Sequence, residues 1–193
     1  MSALAALAAL SLASCSRGLR SPTGLVAAPV AELPPRAPAE APWITVSAVL
    51  AHLLPGGPDS PGAAEVNAAG YLYRTLSTPG ADGDDLERLR AGAKRLDALV
   101  LGDYLSEFAL LAYDQREAAL RKLEASGSGQ SWLSMLMVYL LEALLADPVY
   151  GGNSAEAGWR WLRHQPGFPR PPADHAWYRM AAASGQRKQK AVG

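Results

Sequence analysis

Few of the residues that hold metals or redox groups are present in this chain. Of 193 residues one is cysteine, Cys15, and three are histidine, His52, His164 and His175, in unrelated segments. A lone thiol excludes an internal disulfide framework, a cysteine-ligated zinc site, an iron–sulfur cluster and a CxxCH haem attachment. An excess of positive charge is missing too, with Lys+Arg 18 against Asp+Glu 18. That balance argues against a nucleic-acid binder, whose affinity rests on clustered cations against phosphates. No GxGxxG follows a strand-like run, so no dinucleotide fingerprint is legible. What remains is apolar: hydrophobic residues make up 49%, enough to bury a core in one compact domain or two very small ones.

Residues 1–14, MSALAALAALSLAS, form an uncharged apolar run with small residues before Cys15. The pattern is that of the apolar region and cleavage zone of an export signal, and it is shorter than the roughly 20 residues of a bilayer span. Leu12-Ala13-Ser14-Cys15 resembles the lipobox of bacterial lipoproteins, in which the cysteine is lipidated. Lipidation of Cys15 and simple cleavage are the two outcomes of export; an Ala-rich amino-terminal helix in a cytoplasmic protein is the other reading of the run. No Lys or Arg precedes the run, so a start further upstream with a basic or twin-arginine segment is expected. Export would place the chain in the periplasm, held at the membrane where Cys15 is lipidated. Residues 16–42 carry Pro29, Pro34, Pro35, Pro38 and Pro42, which remove backbone donors and leave no hydrophobic period. They read as an extended tether.

From Trp43 the texture becomes helical. Trp43, Val46, Val49, Leu50 and Leu53 recur at helical spacing until Pro55-Gly56-Gly57-Pro58. A second helix is expected over 63–77, burying Val66, Ala69, Tyr73 and Leu76. A third, capped by Asp84, sets Leu86, Leu89, Ala93, Leu96, Leu99 and Val100 in one stripe, opposite a charged face from Glu87 to Asp97 that reads as solvated surface. A fourth runs over 114–124, presenting Ala118, Leu120 and Leu123, and Ser126-Gly127-Ser128-Gly129 breaks it. The fifth, over 130–146, is apolar nearly all round, so it is the central helix or lies against a partner. Its one acid, Glu142, reads as structural because no histidine or second carboxylate accompanies it. A last helix is expected over 174–183, capped by Asp174 and packing Trp177 and Met180. The fold class is all-α, a small bundle of about five or six helices with a Gly/Pro/Trp-rich C-terminal loop. The layout is 1–15 export signal, 16–42 tether, 43–183 helical domain and 184–193 basic tail.

The most specific local pattern follows the fifth helix: Asp147-Pro148-Val149-Tyr150-Gly151-Gly152-Asn153, then Gly158-Trp159, Trp161 and Gly167-Phe168-Pro169. Proline stops a helix, the glycines permit crowded backbone, and the aromatics are residue types favoured as interface anchors. Trp159 has two readings, an anchor for a partner or a cover over the end of the fifth helix. No nucleophile–base pair is present; His52, His164 and His175 read as surface or boundary residues, so catalysis ranks last.

The run DPVYGGNSAEAGWRWL, then GFP, resembles the gluconate 2-dehydrogenase subunit 3 family, whose pattern is close to DPxYGGNxDxxGWxxxGFPG. Ser154-Ala155 stand where the family has a basic residue and an Asp, Glu156 is an acid one place displaced, Arg163 to Pro166 are inserted, and Arg170 replaces the last glycine. The resemblance implies a non-catalytic small subunit with no cofactor of its own. It would bind, stabilise and help export a periplasmic dehydrogenase whose large subunit carries FAD, with a multihaem cytochrome c subunit carrying electrons onward. Asp147, Pro148, Tyr150, Gly151, Gly152, Asn153, Gly158, Trp159, Trp161, Gly167, Phe168 and Pro169 would meet the partner. The alternative is a free-standing periplasmic lipoprotein with an aromatic groove of Trp132, Tyr139, Tyr150, Trp159 and Trp161.

Overall fold

The computed structural model describes residues 36–167, 170, 172, 175–177 and 179. The export leader with Cys15, most of the tether, Phe168, Pro169, Asp174, Met180 and the basic tail lie outside the described residues. Among the described residues there are six α-helices and no strand, the all-α class expected, although the sixth, Ala157–Leu162, falls where the sequence reads as loop.

Helix α1, Trp43–Leu53, buries Trp43, Val46, Val49 and Leu50, and Trp43 meets Tyr73 edge to face at 5.2 Å. Helix α2 is Ala68–Ser77, shorter at its start than the sequence suggests. Residues 63–67 are turns, and Asn67 takes a left-handed φ of 55° that no helix interior accepts. Val66 stays in the core, but the fully buried line of α2 is Ala68, Leu72 and Leu76, while Ala69 and Tyr73 are half-buried.

Helix α3, Gly83–Tyr104, begins at Asp82 rather than Asp84: the Asp82 carboxylate accepts the Asp84 N–H at 2.9 Å. Its buried stripe is Leu89, Ala93, Leu96 and Val100, and Leu86 and Leu99 are half-buried beside it. Gly92 lies in the same stripe because a Cβ there would sit inside the Trp132 indole. The opposite charged face is solvent-exposed, except Asp97, which is half-buried and accepts from the Thr45 hydroxyl at 2.8 Å.

Helix α4, Tyr113–Glu124, buries Ala119, Leu120 and Leu123. Ala118 points to solvent, one residue off the expected face. Helix α5, Gly127–Leu145, starts earlier than expected. Ser126 does not break the chain but caps it, its hydroxyl oxygen accepting the Gly129 N–H at 3.1 Å. Gly129 belongs in the first turn because a Cβ would collide with the Leu123 carbonyl of α4. Gly129 is there for close helix contact, not for a loop, whereas a Cβ at Gly127 would meet open space.

Helix α5 packs against α1, α2, α3, α4 and α6, so it is central as its composition implies. Trp132, Leu136, Leu140 and Ala143 are buried, and the Trp132 indole N–H is satisfied by the Leu89 carbonyl at 3.2 Å. Val138, Leu141 and Leu145 nonetheless face outward. Polar ties stitch the helices at their edges: Tyr139 donates to Asp85 at 2.7 Å, and His52 meets Glu117 at 2.9 Å. No helix among the described residues is long and apolar enough to cross a membrane.

Candidate functional site

A helix ends with carbonyls that have no partner within it. At the end of α5 those groups are answered almost one by one by the segment that follows. The Ala143 carbonyl accepts the Asn153 backbone N–H at 2.6 Å. The Leu145 carbonyl accepts the Trp159 indole N–H at 2.8 Å. The Ala146 carbonyl, just past the last turn, accepts the Asn153 side-chain amide at 3.0 Å.

The loop reaches those positions through its unusual residues. Asp147 accepts the Val149 N–H at 3.0 Å, starting a single 3₁₀ turn, Pro148–Tyr150, in which Pro148 occupies a position that needs no N–H. Gly151 then takes φ 93°, open to glycine alone without strain, and its carbonyl accepts the Asn67 side-chain amide at 2.7 Å. Gly152 lies against α5, where a Cβ would stand 2.7 Å from the Ala143 carbonyl oxygen. Asn153 is left-handed at φ 45° and wholly buried. Its side-chain oxygen accepts the Gly158 N–H at 2.8 Å, so one amide bridges the end of α5 and the start of α6, Ala157–Leu162. At Gly158 a Cβ would overlap the Leu144 carbonyl. The whole motif is therefore a helix cap assembled from a loop, a short helix and a tryptophan.

Ala155 and Glu156 also sit at positive φ, at 51° and 59°. Two arginines brace this turn: Arg160 donates to the Ala155 carbonyl, and Arg170 bonds Glu156 at 2.8 Å. Arg170 also bonds Asp147 at 2.8 Å and lies 5.1 Å from the Trp159 ring centroid. Burial would raise the Asp147 pKa, but the hydrogen bonds from Arg170 and Val149 prevail and hold it below the ordinary carboxylate value. The same two carboxylates raise the Arg170 pKa.

Of the residues expected to face a partner, Gly151, Gly152, Asn153, Gly158 and Trp159 are buried within this chain. Asp147, Pro148 and Tyr150 are half-buried, while Trp161 and Gly167 are exposed. Trp159, 5% exposed, is the cover over the end of α5. The five aromatics weighed as a common groove do not line one: Trp132 and Trp159 are internal, and Tyr139 bonds Asp85.

A groove of about 580 Å³ does open beside the cap, lined by Tyr71, Val138, Leu141, Leu145, Tyr150 and Trp177 together with the acids Glu142 and Asp147. Sequence reading passes over Tyr71; it reads α5 as central or against a partner, but an all-apolar helix does not announce which side stays open. Glu142 is exposed and accepts from the Tyr71 hydroxyl at 3.1 Å. Burial, and then the Glu142 charge, push the Tyr71 pKa up to about 12.

His52 departs from the surface or boundary position expected of it. It is buried, stacked 4.5 Å from Tyr113 and bonded to Glu117, whose pKa that bond lowers. Its Nδ1 has no partner, and no cluster of metal-ligating side chains exists among the described residues. His164 and His175 are exposed.

A family model for gluconate 2-dehydrogenase subunit 3 matches residues 40–167, which takes in all six helices and the cap. The chain belongs to the gluconate 2-dehydrogenase subunit 3 family. No curated protein and no solved structure matches it. In this member of the family, the DP, YGGN and GW elements do one mechanical thing, which is to close the open end of the central helix.

Proposed function

We propose that this chain is the non-catalytic small subunit of a periplasmic, FAD-dependent dehydrogenase that oxidises a sugar or sugar acid. It binds the large flavin-bearing subunit, stabilises it and helps carry it through export. The observation that carries the reading is the family match from residue 40 to residue 167, with the helix-capping motif folded intact at its end. The apolar leader before Cys15 supports a periplasmic location, with Cys15 as the point of cleavage or lipid attachment. FAD sits on the large subunit and haem on a cytochrome c subunit; this chain contributes surface, not a reacting group. Recovery of the tagged chain from the periplasm tests this: a flavin-containing dehydrogenase should accompany it, and should stay in the cytoplasm when the chain is deleted. A monomer that never associates with an oxidoreductase refutes the proposal.

The groove beside the cap favours one other reading, a free-standing lipoprotein that takes a small apolar ligand there. Co-purification of a small molecule with a solitary chain would select it.

A further inference from the structure

One side of α5 is left about half exposed. Val138, Leu141 and Leu145 lie on it at helical spacing, 55%, 48% and 49% exposed. Together with Tyr71, Tyr150 and Trp177 they form a concave apolar surface, and an exposed apolar surface of this kind marks an interaction site. The two charged residues in its lining, Glu142 and Asp147, are both acids. Asp147 at one end is already answered by Arg170. Glu142 is not: its hydrogen-bond partner is the Tyr71 hydroxyl, and no cation pairs with it among the described residues. The Tyr71 hydroxyl holds that carboxylate with one hydrogen bond of 3.1 Å.

We propose that this groove, rather than the buried motif beside it, docks an apolar segment of the flavin-bearing subunit that carries a Lys or Arg against Glu142. This rests on the accessory-subunit reading above and names the face and the chemistry of its contact. A second copy of the chain fits poorly, because α5 contains no Lys or Arg and a two-fold pairing would bring one Glu142 towards another. An anionic lipid surface fits poorly too, since Glu142 and Asp147 would face its headgroups. A protein segment with apolar residues and one cation satisfies both features at once.

The test uses the full chain, tagged and co-expressed with the flavin dehydrogenase subunit, with flavin absorbance in the periplasmic eluate as the readout. Leu141→Asp should lower recovered flavin by about tenfold or more, because it places a charge in the centre of a desolvated contact. The melting temperature should hold, since this side chain is half exposed. Glu142→Gln should lower recovery less and flatten its dependence on salt. Leu105→Asp, at an 86% exposed position outside the groove, should change neither. Wild-type recovery with undiminished recovery by Leu141→Asp overturns the groove while leaving the accessory role standing. No flavin with the wild type removes the accessory role, and the groove proposal with it. A Leu141→Asp change that converts a dimer to a monomer at constant flavin recovery assigns the groove to a second copy and refutes the proposal. An unaltered salt dependence in Glu142→Gln refutes the cation.

Discussion

Replacing Asn153 isolates the capping role of the motif. Asn153→Ala removes the amide that donates to the Ala146 carbonyl at 3.0 Å and accepts from the Gly158 N–H at 2.8 Å. Two backbone groups lose their partners in or near the core, at about 1–3 kcal/mol each. Alanine is also less tolerant than asparagine of the left-handed φ of 45°, which adds about 1 kcal/mol. The sum is about 3–7 kcal/mol, a large part of the roughly 5–15 kcal/mol that keeps a domain folded. Thermal unfolding followed by circular dichroism should show the midpoint falling by about 10–20 °C.

Two companion substitutions separate the causes. Asn153→Gly removes the strain but not the hydrogen-bond loss, so it should recover only about 1 kcal/mol of the deficit. Asn153→Asp keeps an acceptor for Gly158 but aims a second oxygen at the Ala146 carbonyl. Its folded pKa is then raised by burial and repulsion, and the deficit should shrink as pH falls through that pKa and the protonated carboxyl donates. A midpoint for Asn153→Gly close to the wild type would refute the capping role, because backbone conformation alone would then explain the asparagine.

Three further outcomes follow from the same geometry. Gly158→Ala should destabilise the fold by about 1–3 kcal/mol or more in denaturant unfolding, because the new methyl overlaps the Leu144 carbonyl; a neutral effect would mean that α6 can slide on α5. Trp159→Ala should cost about 3–5 kcal/mol of stability in the isolated chain, from the lost packing and the exposed Leu145 carbonyl, and an unaltered monomer stability would contradict its internal position. Asp147→Asn should be less stable than the wild type at neutral pH. The folded pKa of Asp147 lies below its ordinary 3.8, so its contribution is fully present above that value and is lost as pH falls through the folded pKa. The gap between the two melting curves should therefore be constant down to about pH 5 and close in stronger acid; a gap that widens in acid would show that Arg170 is not its partner.

Much of the bundle was determined by local sequence alone. Helical periodicity placed α1, α3, α4 and α5 and the greater part of their inward faces, since a 3.6-residue period is a property of the chain before it packs. The DP, YGGN and GW elements were legible too, as a proline stop, glycine-permitted turns and a tryptophan. Their purpose was not. Only packing decided that Asn153 and Trp159 turn inward to the carbonyls of α5, because the groups they satisfy are backbone atoms that every sequence possesses. The Ser126–Gly129 run looked like a breaker in isolation and became the start of α5, with Ser126 as its cap and Gly129 where α4 passes too close for a side chain. Asn67 left the helix that its neighbours suggested in order to hold Gly151. His52 went inside because Glu117 and Tyr113, far away in sequence, come round to receive it. Likewise the composition of α5 made it central, and only the arrangement of its neighbours left Val138, Leu141 and Leu145 uncovered: periodicity records that a residue is apolar, while burial depends on how many helices arrive to cover it.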